Sequence, residues 1–83
     1  MFIVVNHAIS NPEQFWALAK AMTVPPPLRL HSVYPSTDGA KGTCLWEAQS
    51  VDAVKQFVDG ATREFSKNDY MVVESKNALG LPK

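Results

Sequence analysis

The chain of 83 residues is poor in cysteine: Cys44 is the only one, so no disulfide can form within the chain. A lone thiol is typical of a protein kept in a reducing compartment. The first residues are apolar from Met1 onward and no Lys or Arg precedes them, whereas a secretory signal has a basic leader and a small-residue cleavage site. We therefore expect a cytoplasmic protein that is not processed.

The chain also lacks an excess of either charge. Eight basic and eight acidic side chains give a formal net charge of zero, and the basic residues are scattered along the sequence. Duplex nucleic acid and anionic membranes are usually bound by a basic face that contacts several phosphates. A run of about 20 apolar residues, which a membrane-spanning helix needs, is missing as well. The composition therefore argues against nucleic acid and membranes as partners.

What is present suffices for a single domain over residues 1–83. The apolar fraction of 46% is that of an ordinary globular protein. A chain this short buries only about 60–65% of the surface that its unfolded form exposes, so a monomer should be marginally stable. Because association with a second copy enlarges a small core, we expect a homodimer.

Hydrophobic periodicity and cap residues predict the order strand–helix–strand–strand–helix–strand. Asn11 followed by Pro12 is a strong signal for a helix start, and Ser50 is a second cap. The polar residues 66–69 indicate a turn. The predicted elements are strand 1 over 2–9, helix 1 over 12–22, strand 2 over 28–34, strand 3 over 43–48, helix 2 after Ser50 with an apolar stripe that extends to Phe65, and strand 4 over 70–75. Gly60 lies within helix 2, where glycine costs up to about 1 kcal/mol relative to alanine, so we expect a packing reason for it.

The two β–α halves of the chain, 2–22 and 43–65, are similar in length and pattern. This pseudo-duplication fits a split βαβ unit. The predicted class is therefore α+β: a ferredoxin-like βαββαβ domain whose four-stranded antiparallel sheet has the order 4-1-3-2, with both helices on one face. The other face of the sheet is left uncovered, and if it is apolar it needs a partner.

Several residues of the chain carry a resemblance to a known family. They are His7, His31 early in strand 2, and the run Cys44-Leu45-Trp46-Glu47-Ala48 that leads into a Ser-capped helix. In these residues and in element order, the chain resembles the small nickel-binding members of the dimeric α/β-barrel superfamily. The resemblance implies that two open sheet faces pack into a barrel, and that nickel or another divalent transition metal is a candidate cofactor. The superfamily also includes cofactor-free monooxygenases and isomerases, so the fold alone does not choose a function.

Two histidines on separate strands are candidate ligands for nickel, zinc or copper, because imidazole suits these metals. Strand 3 lies between strands 1 and 2 in the predicted sheet, so a side chain of strand 3 must complete the site. Glu47 and Cys44 are the candidates, but their odd offset puts them on opposite faces. If the small Ala48 packs beneath the helices, Cys44 lies with it and Glu47 lies on the open face. The predicted metal site is His7, His31 and Glu47, with Cys44 as the alternative ligand.

Each of these residues also has a structural interpretation. The histidines are explained as well by half-buried rings that hydrogen-bond to their neighbours. Cys44, which is also a candidate nucleophile, is explained as a small buried side chain. Asn6, Tyr34 and Trp46 are predicted to bind a small ligand, although aromatic residues in small sheets also form cores and dimer interfaces.

Three functional hypotheses follow. The leading one is a non-enzymatic homodimeric binding protein with a divalent-metal or small-ligand site on the open sheet face. The second is a cofactor-free monooxygenase or isomerase that acts on a small organic molecule, with His7, His31 and Glu47 as candidate proton carriers. The third is a structural module whose open sheet is only an interface. The chain has no Ser-His-Asp order, P-loop, dinucleotide fingerprint or Cys-x-x-Cys pair, so the better-marked enzyme classes are excluded while catalysis itself stays open.

Overall fold

The structure is a computed structural model that describes residues 1–82. Its elements are β1 (Phe2–Ile9), α1 (Pro12–Ala21), β2 (Arg29–Pro35), β3 (Lys41–Glu47), α2 (Val51–Thr62) and β4 (Ser66–Val72). The predicted element order is confirmed, and the class is α+β with four antiparallel strands and two helices, which is compatible with a ferredoxin-like fold. Over residues 1–82, neither helix has the length and apolar character that crossing a bilayer requires.

The sheet is organised around β1, which pairs with β3 on one side and with β4 on the other, both antiparallel. β2 pairs with β3, so the strands follow the order β2-β3-β1-β4 from one edge, which is β4-β1-β3-β2 counted from the other. The pairing of β2 with β3 shifts between Leu30 and Ser32, which leaves His31 as an extra residue in the edge strand. Such a bulge interrupts the regular alternation of side chains.

The core lies between the helices and one face of the sheet. Because side chains alternate along a strand, every second residue of β1 and of β3 faces the helices and is buried. The largest fully buried side chains are Trp46, Ile3, Val5 and Val54. The predicted parity of strand 3 is confirmed, since Cys44 is buried with Ala48 while Glu47 lies on the opposite face.

Both helices start where their cap residues predict. The side chain of Asn11 accepts a hydrogen bond from the backbone N–H of Gln14 at 3.1 Å, and Pro12 is the first helical residue. The hydroxyl oxygen of Ser50 accepts one from the backbone N–H of Ala53, also at 3.1 Å. Each bond satisfies one of the N–H groups that a helix start leaves unpaired, which explains where each helix begins.

β4 begins at Ser66, whereas the predicted strand began at residue 70 after a turn over 66–69. The turn lies instead at 63–65, so Phe65 is in the turn and not on the apolar stripe of the helix. The prediction is wrong because the polar side chains of Ser66 and Asn68 are not exposed turn residues. They face the interior and hydrogen-bond to other polar groups there.

Trp16 of α1 packs its indole against the hairpin between β2 and β3. Its Nε1–H donates to the carbonyl oxygen of Gly39 at 2.8 Å. A Cβ atom at Gly42 would lie 2.8 Å from Cη2 of the same ring, so only glycine fits at this position. Gly60 differs, because nothing lies within 4 Å of the position of its Cβ. The expected packing reason for Gly60 is therefore wrong.

Gly42→Ala should destabilise the fold by about 1–3 kcal/mol, because the indole of Trp16 must leave its hydrogen-bonded position. Gly60→Ala is the matched control, and we expect it to stabilise the protein by about 0.5–1 kcal/mol, since it adds a better helix former where there is space. Urea unfolding measures both free energies. Equal effects of the two substitutions would contradict the close contact between Gly42 and Trp16.

Candidate functional site

The sheet places the two histidines on opposite faces. His7 belongs to the buried alternation of β1 and is 5% exposed on the helix side. His31 lies in the bulge of β2 and contacts Glu47, which faces the open side. The structure therefore does not bring the three residues of the predicted metal site together, because the sheet separates His7 from His31 and Glu47. Among residues 1–82, no three His, Cys, Asp or Glu side chains are grouped so that they could hold a metal ion.

His31 and Glu47 form a polar pair on the open face. Nε2 of His31 lies 2.8 Å from Oε1 of Glu47. The ring of Phe2 packs beside His31, with the ring centroids 5.7 Å apart. The hydrogen bond from His31 lowers the pKa of the Glu47 carboxyl. The pair offers one nitrogen and one carboxylate, which are fewer protein ligands than metal sites usually have.

The three residues predicted to bind a small ligand do not line one pocket. Asn6 and Tyr34 are exposed on the open face, where the side-chain oxygen of Asn6 accepts a hydrogen bond from the Thr43 hydroxyl at 2.8 Å. Trp46 lies on the other face and is only 1% exposed. Trp46 is therefore part of the core, and it is the one member of the three that borders an internal cavity.

On the helix side, Cys44, His7 and Asn68 form a hydrogen-bonded row across β3, β1 and β4. Nε2 of His7 lies 3.2 Å from Sγ of Cys44, and Nδ1 bonds to Oδ1 of Asn68. The three residues meet because they occupy inward positions on neighbouring strands, with His7 opposite Asn68 in the register. The ring of Phe15 packs beside His7 at a centroid distance of 5.0 Å and covers the row from α1.

The orientation of the Asn68 amide is fixed by its other partners. Its Nδ2 donates to Oδ1 of Asp59 at 2.9 Å and to the Thr62 hydroxyl oxygen at 3.0 Å, while its Oδ1 accepts from the Ser66 hydroxyl at 2.8 Å. Oδ1 therefore accepts from His7, so that the proton of the neutral ring is on Nδ1. Nε2 is left as the acceptor, and the Cys44 thiol donates to it.

Asp59 and Tyr70 close the outer end of the network. The Tyr70 hydroxyl donates to Oδ1 of Asp59 at 2.6 Å. Desolvation raises the pKa of the Asp59 carboxyl, but the hydrogen bonds from Tyr70 and Asn68 outweigh it and the pKa is lowered. Desolvation and the bond to Asp59 both raise the pKa of Tyr70. The carboxylate thus stays charged and the phenol stays neutral at pH 7.

The buried pair of Cys44 and His7 is neutral at pH 7. Burial lowers the pKa of His7, although the hydrogen bond to Asn68 and the charge of Asp59 act in the opposite direction. Burial also raises the pKa of the Cys44 thiol to about 11. Both shifts have the cause expected for charged groups removed from water. The resting state is therefore a thiol that donates to an imidazole.

A cavity of about 30 Å³ lies between the helices and the sheet, beside this pair. His7, Cys44 and Trp46 line it from the sheet, and Phe15 and Leu18 of α1 line it from the opposite side together with Met22, which directly follows that helix. The volume is room for about two water-sized groups. Its walls are mainly apolar, and Nε1 of Trp46 is buried without a hydrogen-bond partner in the described part of the chain.

Sequence reasoning identified His7 and Cys44 but missed their partners Asn68 and Asp59. The available signal was the spacing of Ser66, Asn68 and Tyr70, which alternate with charged residues as the inward positions of a strand do. The same residues also have the composition of a turn. Asp59 gave no such signal, because an acidic residue on a helix is usually solvated.

Comparison with family models, with curated proteins and with solved structures gave no match to this chain. The resemblance to the nickel-binding proteins therefore stays a prediction. Because a fold shared by many proteins does not determine chemistry, the function has to be inferred from the residues of the site.

We expect the free energy of unfolding to fall as the pH drops from 7 to 5.5. The folded pKa of His7 lies below the unfolded value of about 6.5, so the unfolded chain binds more protons in this range and stability rises with pH. Urea unfolding at several pH values should show that His7→Gln reduces this slope, by at most about 1.4 kcal/mol per pH unit. His31→Gln, on the other face, is the matched control and should retain the contribution of His7. A slope unchanged in His7→Gln would contradict the neutral state of His7.

Proposed function

We propose that this chain is a homodimeric protein that binds a small, mostly apolar organic molecule between its helices and its sheet. The observation that carries the proposal is the cavity whose apolar walls end at the hydrogen-bonded pair of His7 and Cys44. Small-molecule sites usually combine apolar walls with a few convergent polar groups. The site proposed is thus on the helix side of the sheet and not on the open face.

Half-buried side chains at the outer end of the cavity separate it from solvent. Leu18 of α1, Met22 directly after that helix and Leu30 of β2 line the cavity and are half-buried, so they lie between it and solvent. Met22 is unbranched and flexible, and such side chains adapt easily to a ligand. A molecule larger than the cavity of about 30 Å³ has to displace these residues to reach His7.

The open face of the sheet supports the homodimer. Val4 lies opposite Leu45 on one side and opposite Met71 on the other, which makes an apolar row across three strands. Met71 is 56% exposed, and Tyr34 on the same face is 66% exposed. Exposed apolar side chains of this kind are typical of an interface. A second copy is the partner that we propose, because a two-fold axis brings the same patch of both chains together.

We do not propose a nickel site in this protein. His7 and His31 cannot reach one ion from opposite faces of the sheet. The mainly apolar walls beside His7 suit an organic molecule better than a cation, which requires several nitrogen, oxygen or sulfur ligands.

Butanone, a small ketone, is a probe for the cavity. In ¹H–¹⁵N spectra its addition should shift the indole N–H signal of Trp46, which lines the cavity. Ala61→Leu should abolish the shift, because Ala61 also lines the cavity and the larger side chain fills it. Ala17→Leu is the matched control, since it places the same side chain on the exposed side of α1. Shifts confined to Asn6 and Tyr34 would contradict the proposal and favour the open face as the ligand site.

A separate measurement tests the dimer. Light scattering coupled to size-exclusion chromatography should give the mass of a dimer for the wild-type chain. Leu45→Glu and Met71→Glu should each weaken association about 100-fold, because an unpaired carboxylate buried in an apolar interface costs about 3 kcal/mol. Gln56→Glu adds the same charge on the exposed surface of α2 and is the matched control. A monomeric wild-type chain, or a dimer unaffected by both open-face substitutions, would contradict this interface.

A further inference from the structure

We propose that Cys44 is a nucleophile that adds reversibly to a small conjugated electrophile, an α,β-unsaturated carbonyl compound, with His7 as the carrier of the thiol proton. The inference rests on the proposed function, because it assigns the substrate class of the same cavity. Asn68 has a different role: it contacts no substrate and is a positioning residue for the imidazole of His7.

The arrangement of the three side chains supports this assignment. A thiol nucleophile needs a base within hydrogen-bond reach, and the base needs a group that orients it. Nε2 of His7 lies 3.2 Å from Sγ of Cys44, and the Asn68 amide holds Nδ1 from the other side. Because Oδ1 of Asn68 accepts a hydrogen bond from Nδ1–H, the lone pair of Nε2 is directed at the thiol. The base is therefore in the required tautomer before any ligand arrives.

The charges around His7 favour proton transfer to it. Asp59 of α2 is the carboxylate nearest to the row, and its attraction raises the pKa of His7 against the effect of burial. Cys44 of β3 and Tyr70 of β4 are the other titratable groups in the network, and α1 contributes the apolar ring of Phe15. The cations Lys55 and Arg63 interact with Asp59 from outside the network. An imidazolium formed during reaction would thus face Asp59 through Asn68, with no cation between them in the network.

The chemical step balances without a further reactant. The S–H bond of Cys44 breaks and its proton passes to Nε2 of His7, while the sulfur bonds to the β-carbon of the electrophile. The π electrons of the double bond move towards the carbonyl to give an enolate. The enolate then takes the proton from Nε2 at its α-carbon. One S–C bond and one C–H bond form, one S–H bond and one π bond break, and no leaving group, oxidant or reductant is needed.

The cavity favours this substrate class over an ester or another acyl compound. Acyl transfer passes through a tetrahedral oxyanion, which enzymes stabilise with several N–H donors. The walls beside Cys44 are mainly apolar. The hydroxyl of Thr62 also lines the cavity, but its proton is donated to the carbonyl oxygen of Val58 at 2.8 Å and is therefore not directed at an oxyanion. Addition to a double bond passes instead through an enolate, whose charge is delocalised over the oxygen and the α-carbon, and no leaving group has to be expelled. A cavity of about 30 Å³ also has room for the two reacting carbon atoms, with the remainder of the molecule towards Met22.

The test is the rate at which methyl vinyl ketone adds to the folded protein, followed by intact-protein mass spectrometry between pH 7 and 9. Wild-type protein should gain one adduct, absent in Cys44→Ala, at a rate that is nearly independent of pH, because neutral His7 takes the proton throughout this range. In His7→Gln the reaction depends on free thiolate. Since the thiol pKa is about 11, the rate should then rise about tenfold per pH unit and be about 100-fold below wild type at pH 7.

Two further measurements separate a chemical role from a structural one. Asn68→Leu removes the acceptor for Nδ1 at similar size, and we expect a rate about tenfold lower with the flat pH profile retained. The pH profile of the wild-type chain needs no substitution, so it decides the proposal even if His7→Gln does not fold. A wild-type rate that rises tenfold per pH unit, or a folded His7→Gln that reacts as fast as wild type, overturns the role of His7.

Butanone, the saturated analogue of methyl vinyl ketone, distinguishes the two proposals. If butanone shifts the Trp46 indole signal while Cys44 forms no adduct, the nucleophile assignment is wrong and the cavity proposal stands. If butanone causes no shift at Trp46, the cavity proposal fails first, and the substrate class assigned to it fails with it.

Discussion

The amide of Asn68 is the group on which the buried polar interactions of this protein depend. It bonds to His7 on one side and to Asp59 and Thr62 on the other, and so connects β4 to both β1 and α2. A buried polar group left without a partner costs about 1–3 kcal/mol, so these residues stabilise the fold only as a set. The same amide determines the proton position on His7 and hence the direction of the Cys44 hydrogen bond.

This constraint also explains the unusual composition of β4. An ordinary strand at the edge of a sheet places apolar residues against the helices, but β4 presents Ser66, Asn68 and Tyr70 there. All three side chains find partners within the network. The packing of α2 on β4 is therefore partly polar, in contrast to the apolar packing of Val54 and Val58 on the central strands.

The helix starts and the inward face of β3 could be predicted, because both depend on local sequence signals. Asn11 and Ser50 mark the two helix starts, and the small Ala48 gives the correct face for Cys44 and Trp46. The site could be predicted only in part, because residues of different strands can be assigned to one site only when the face that each side chain occupies is known. The apolar run at the start of β1 does not indicate which face of the sheet His7 occupies. The position of the His31 side chain depends on a bulge that no residue pattern predicts.

The anchoring of Trp16 has a mechanical consequence for the cavity. α1 forms one wall of the cavity, and the indole of Trp16 joins the same helix to the hairpin through Gly39. The ring also rests on Gly42, at the start of β3, two residues before Cys44. An outward movement of α1 that admits a molecule must therefore strain or break the link to the hairpin tip. The loop between β2 and β3, which lies outside the cavity, thus works as a restraint on how far the cavity can widen.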